Sequence, residues 1–277
     1  MLRSALKAGL VLFGAGVLCA GLAAAYVFWL PDVRPLKKSP PKTTAYIELR
    51  KREAAANGRK LGLRWTWVPA DAISENLKKA VVTAEDDTFY RHDGVDEDAL
   101  RAAFRRDLKE GKLSVGGSTI TMQLARNLYL SPSKNPLRKL KEILIARRLD
   151  RELGKRRVLE LYLNVVEWGK GVFGCEAAAR AYFSKSCADL TPDEAVAMAV
   201  VLPNPRRWDP SKNGRYVQRN SARIVKRMAA SGLWPEEDDA GDSTPVEDAV
   251  APAPAPAPVP ESRFMDVFES TGSTRRR

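Results

Sequence analysis

The chain of 277 residues has one histidine, His92, and three cysteines, Cys19, Cys175 and Cys187. A Ser-His-Asp triad is excluded unless it uses His92, and a multi-histidine zinc site is excluded outright. No C-x-x-C pair occurs, which removes the zinc ribbon, the thioredoxin-like motif and the disulfide scaffold. The P-loop spacing G-x-x-x-x-G-K-[ST] is absent, and so is any internal repeat. Acidic residues are in deficit: 34 Asp+Glu face 46 Lys+Arg, a formal net charge of +12. Such an excess predicts an anionic partner, whether nucleic acid, phospholipid or a phosphorylated substrate.

What is present divides the chain into four segments. Residues 8–30 carry no charge. As a helix, 23 residues reach about 34 Å, enough for a bilayer core of about 30 Å. Arg3 and Lys7 precede the run, and Tyr26 and Trp29 stand at its far end, where aromatic rings favour the interface. A signal-peptide core is shorter, so the run reads as an uncleaved transmembrane anchor. Arg34, Lys37, Lys38 and Lys42 follow it, and a charge count alone does not place the N-terminus inside. Four prolines make residues 31–44 an extended linker. Residues 45–234 form the folded region. Residues 235–277 hold ten acidic and four basic residues with Ala-Pro repeats, and are expected to be disordered.

The folded region reads as mostly helical. Ser74 caps a helix with Leu77, Ala80, Val81 and Ala84 at helical spacing. Residues 98–109 continue the pattern, and another apolar run spans Ile120 to Leu130. Asn135-Pro136 opens a helix that stops near Gly154, followed by one from Lys155 to Trp168. Thr191 to Glu194 forms a capping box. Only Leu63–Val68 reads as a strand.

Three groups of residues carry chemistry. Glu85 ends the Ser74 helix, where the dipole disfavours a carboxylate, and Asp86 and Asp87 add like charge. Both effects raise a carboxyl pKa toward the range of a general base. The same three residues also suit a solvated acidic turn. Gly116-Gly117-Ser118-Thr119 leaves backbone N–H groups free at a helix start, where anions bind, and equally suits a plain turn. Arg138 and Lys139 lie in the first turn of their helix, where cations oppose the dipole unless an anion compensates. Arg138 and Glu142 share a face; a phosphate or pyrophosphate explains the placement better than a surface ion pair. Arg126 and Lys134 add to this field. Ser131-Pro132-Ser133-Lys134 matches S-x-x-K, but no S-D-N or K-T-G follows, so an acylating serine is rejected.

Taken together, these residues resemble the peptidoglycan glycosyltransferases of family 51, in the monofunctional, membrane-anchored form. Glu85-Asp86-Asp87-Thr88-Phe89-Tyr90-Arg91-His92-Asp93-Gly94 resembles the motif E-D-x-x-F-x-x-H-x-G. Gly116 to Gln123 resembles G-G-S-T-I-T-x-Q, and Arg138 to Glu142 resembles R-K-x-x-E. Leu159 to Asn164 and Arg180 to Phe183 resemble two later segments, so that five ordered motifs cover residues 65–210. The departures are Met122 where Gln is common and Arg126 where Lys is common.

The resemblance implies an all-α, lysozyme-like domain with a smaller membrane-proximal jaw lobe. It implies lipid II and the growing glycan strand as substrates, and no nucleic acid. Glu85 would be the base for the acceptor 4-hydroxyl. Glu142 would organise cations or hold a metal at the leaving group. Ser118, Thr119, Gln123, Arg126, Asn127, Arg138 and Lys139 would bind the donor. Asp86, Phe89, His92 and Gly94 would support the loop beside Glu85. No cofactor is required, although a divalent cation, Mg or Mn, is compatible with the pyrophosphate. The catalytic domain would stand on the outer, periplasmic face of the bacterial inner membrane, alongside other cell-wall synthesis or division proteins. In that oxidising compartment a Cys175–Cys187 disulfide is conceivable, as are two buried thiols. The rival readings are a lytic enzyme that cuts peptidoglycan and an inactive scaffold of a wall-synthesis complex.

Overall fold

The computed structural model describes residues 2–111, 117–133, 135–212 and 214–234. Gly116, Lys134 and the acidic tail lie outside the described residues. Helix α1 (Leu2–Phe28) contains a 20-residue stretch, Gly9–Phe28, with mean hydropathy 2.2. Leu10, Leu12 and Phe13 stand more than two-thirds exposed on it. The helix is long and apolar enough to cross a bilayer, and apart from Val27, which is buried, its described side chains are mostly exposed.

The segment after α1 is not a free extended spacer. Arg34–Lys37 close a 3₁₀ turn, and Val33 and Leu36 are buried in the core. Arg157 Nε donates to the Leu36 carbonyl at 2.8 Å, and Lys37 pairs with Glu152 at 2.8 Å. Proline density suggested extension, but two apolar side chains between the prolines found surface to cover. Lys141 sits 4.3 Å from the Tyr26 ring centroid, so α1 also meets the helix Pro136–Val165.

The remaining elements are α2 (Ala45–Ala56), β1 (Arg64–Trp65), α3 (Glu75–Glu85), α4 (Glu97–Glu110), α5 (Ile120–Tyr129) and α6 (Pro136–Val165). Then follow β2 (Glu167–Gly169), β3 (Val172–Phe173), α7 (Cys175–Phe183), α8 (Pro192–Val201) and α9 (Arg215–Ala230). The described residues are mostly helical, as the lysozyme-like expectation required. Helix α5 packs on α6, and α3 packs on α8 and α9. Leu77, Ala80 and Val81 of α3 meet the core with Ile120, Leu124, Ile145 and Leu149. Helix α8 buries Ala195, Val196, Met198, Ala199, Val200 and Val201, so apolar residues surround it on nearly every side.

One boundary holds and one moves. Helix α6 is broken where expected, two helical halves meeting at a kink at Gly154, whose backbone is non-helical at φ 73°, ψ 162°. That backbone is essentially open to glycine alone. The second half ends at Val165, not Trp168, because Glu167–Gly169 pair antiparallel with β3. Strand β1 pairs parallel to β3, giving the order β1-β3-β2. The expected strand at 63–68 narrows to Arg64–Trp65, while Asn164 grips Val68 through both its amide atoms at 2.9 Å.

Candidate active site

Glu85 is the last residue of α3, whose start is capped by Ser74: its Oγ accepts the Asn76 N–H at 3.2 Å. Burial is the main force raising the Glu85 carboxyl above its usual range, and the neighbouring Asp86 charge adds a little. A hydrogen bond from Gln123 and the charge of Arg126 oppose the rise. The expected contribution of Asp87 is not seen: that side chain turns outward and pairs with Arg227 at 2.9 Å.

Gln123 lies at the centre of a short chain of hydrogen bonds. Its Nε2 donates to Glu85 Oε2 at 2.7 Å, and its Oε1 accepts the Tyr162 hydroxyl at 2.8 Å. Tyr162 is fully buried, and burial drives its own pKa well up, so it stays a donor. Sequence reasoning placed Gln123 at the donor sugar and gave Tyr162 no part. The one available signal was the Leu159–Asn164 segment, which fixed the helix but not the direction of the phenol.

The loop after Glu85 is seated by the residues expected to support it. Asp86 is buried, with both oxygens near His92 Nε2 at 3.0 and 3.1 Å. A carboxylate only accepts, so Nε2 carries the proton. Asp86 Oδ2 also accepts the Ile120 N–H at 2.9 Å, joining the loop to the start of α5. His92 thus positions the loop and does not face Glu85 as a proton carrier. Phe89 is fully buried beneath Lys155, whose Nζ lies 4.8 Å from the ring centroid. Gly94 has φ 80°, and a Cβ there would stand 2.7 Å from the Ala146 carbonyl oxygen. Only glycine fits that approach.

Helix α5 begins at a cap. Thr119 Oγ1 accepts the Met122 N–H at 3.1 Å and donates to the Gly94 carbonyl at 2.7 Å. Thr119 is buried, and its hydroxyl joins the start of α5 to the Gly94 loop. Asn127 is likewise buried, its amide donating to the Gln123 carbonyl at 2.8 Å. Ser118 does remain at the site, where its Oγ accepts from Lys139 Nζ at 2.7 Å.

The second centre surrounds Glu142, which is completely buried. Arg138 donates to one of its oxygens, Lys139 Nζ lies 3.0 Å from the other, and Arg126 Nη1 stands at 3.8 Å. This is not the surface ion pair that spacing alone allowed. Burial pulls the Lys139 pKa down, Glu142 pushes it back, and Arg126 and Arg138 pull it down further. Three cations share one carboxylate, so the cluster has an unmet demand for negative charge. Both Glu142 oxygens face cationic side chains, whose charge opposes a metal ion at the same carboxylate, and among the described residues no group of three or more His, Cys, Asp or Glu side chains gathers. A cation held by the protein at Glu142 does not fit this arrangement. Helix α5 joins the two centres: Gln123 holds Glu85, and Arg126, three residues on, faces Glu142.

A raised carboxylate beside a cluster of cations is chemically suited to activating a hydroxyl and accommodating an anionic leaving group. The transglycosylase family model matches residues 55–229, more than half the chain, and the chain belongs to that family. Its relatives include biosynthetic peptidoglycan transglycosylases. That of Aromatoleum aromaticum is 50% identical over 188 residues, covering 68% of this chain and 81% of the relative. That of Thiobacillus denitrificans is 44% identical over 211 residues, covering 76% and 88%. That of Nitrosospira multiformis is 42% identical over 209 residues, covering 75% and 91%.

Proposed function

We propose that this chain polymerises lipid II into peptidoglycan glycan strands. Glu85, ionised, takes the proton from the 4-hydroxyl of the acceptor sugar. The freed oxygen attacks the anomeric carbon of the donor, the growing strand. The bond from that carbon to pyrophosphate breaks, configuration inverts, and undecaprenyl pyrophosphate leaves. The leaving group is already a stable anion, so the step needs cations more than a strong acid. Arg126, Arg138 and Lys139 supply them, with Ser118 steering Lys139 and Glu142 holding the three together.

The observation that carries this reading is the pairing of one raised carboxylate with one cation-rich centre along α5. In this reading no cofactor is required; a divalent cation would ride on the pyrophosphate oxygens and owe little to Glu142. Helix α1 anchors the chain in the inner membrane, with the N-terminus inside and the catalytic domain on the periplasmic face, where lipid II is displayed.

The test is polymerisation by the purified full chain in detergent. Given lipid II, it is expected to make long glycan strands, and Glu85→Gln is expected to abolish them with the fold intact. Release of soluble fragments from finished peptidoglycan, without strand synthesis, would instead establish a lytic enzyme.

A further inference from the structure

Cys175 opens α7, and Cys187 lies twelve positions later in a 3₁₀ turn ahead of α8. Both side chains are fully buried, and their sulfurs stand 3.3 Å apart. A disulfide needs about 2.05 Å, so closure asks for only about 1.3 Å of further approach. Glu176 already fixes the second cysteine, accepting the Cys187 N–H at 2.8 Å and the Ser186 hydroxyl at 3.1 Å. Cys187 in turn touches α3: its carbonyl accepts the Ser74 N–H at 3.2 Å, and its sulfur lies 3.4 Å from the Ala72 carbonyl oxygen. Ser74 is the cap of the helix that ends in Glu85.

We infer that Cys175 and Cys187 are oxidised to a structural disulfide that braces the start of the Glu85 helix. The inference rests on the proposed placement of the domain in an oxidising compartment. The oxidant is a disulfide of the thiol–disulfide exchange class. One cysteine thiolate attacks it, forming a mixed disulfide and expelling one oxidant thiolate. The second cysteine thiolate attacks the cysteine sulfur of that intermediate and expels the other. Two protons and two electrons leave the chain, and the oxidant becomes a dithiol. The neighbouring Cys187 sulfur and then burial disfavour the Cys175 thiolate in the folded domain. Oxidation therefore belongs to folding, before the thiols are enclosed, and the finished bond resists added reductant until the domain unfolds.

The experiment counts thiols in the full chain. Cells are quenched with acid, and the protein is denatured and alkylated with and without prior reduction. One alkylated cysteine, Cys19, is expected before reduction and three after. Three before reduction overturns the inference. A second arm refolds the full chain in detergent with glutathione disulfide. Bond formation there, but not in cells, faults the compartment; formation in neither faults the pairing itself. Without reductant the oxidised chain is expected to melt about 6–12 °C above the chain refolded under reductant. The variant Cys175→Ala/Cys187→Ala should melt at one temperature in both conditions, and a shift equal to that of the unmutated chain also overturns the inference.

Discussion

The Glu85 carboxyl sits where it loses most of its solvation. Its pKa is raised in the folded chain relative to the unfolded one, so folding favours the protonated form. That contribution is present in full below the unfolded pKa and is lost as pH rises through the folded one. At neutral pH, therefore, the ionised carboxylate weighs against stability. Glu85→Gln is expected to lower turnover by about 10²–10⁴-fold, the usual share of a general base. It should melt no lower than the unmutated chain at pH 7.5, as a calorimetric scan would show. The hydrogen bond from Gln123 lowers the Glu85 pKa, so Gln123→Ala is expected to raise it further. The acid limb of the kcat/KM profile would then move to higher pH. The same limb in Tyr162→Phe should move less, because Tyr162 acts only through Gln123. At the cation centre, Glu142→Gln leaves three cations with no buried carboxylate and should cost about 3–5 kcal/mol in urea unfolding. Inorganic pyrophosphate should raise the melting temperature of the unmutated chain, and should do so much less in Arg138→Ala.

Elements carry a different kind of constraint. Glycine is required at Gly94 by both its φ and the nearby Ala146 carbonyl, but at Gly154 by backbone conformation alone, since a Cβ there would meet open space. Gly154→Ala is expected to cost about 1–3 kcal/mol of strain, and Gly94→Ala more, because its loop must also withdraw from α6. Chemical denaturation of the two variants orders them. Caps made several helix starts legible: Ser74, Thr119, Asn135 and Thr191 all accept the N–H groups that their sequence context assigned to them. Helices α2 and α9 escaped notice. The first has almost no apolar stripe, and the second is dominated by basic residues despite the buried line of Val217, Ile224 and Met228. Strands β2 and β3 are three and two residues long, too short for any alternation to register.

At the scale of the molecule, charge and anchor act together. Without the ten acidic and four basic residues of the tail, residues 1–234 hold 42 basic and 24 acidic residues, a net +18. Part of that charge sits in the segment after α1, at the height of the headgroups when α1 spans. The rest includes the cluster of Arg126, Arg138 and Lys139 around Glu142. Washing membranes with 1 M salt should leave the chain bound, because screening removes surface attraction but not the insertion of α1. Release by salt alone would mean that α1 does not insert.

The sequence by itself determined the apolar N-terminal run and the helical class, which follow from composition and periodicity, local properties of the chain. The candidate site residues came from the resemblance of five ordered motifs to a known family, because spacing alone left a plain acidic turn open. Only the tertiary structure decided what each polar atom touches. It turned Thr119 and Asn127 inward, sent Asp87 away to Arg227, and placed Gln123 between Glu85 and Tyr162. It also made burial the cause of the raised Glu85 pKa, where the sequence had suggested the helix end and its acidic neighbours. Desolvation and hydrogen bonding depend on residues brought together from distant points in the chain, and spacing along one helix cannot report them.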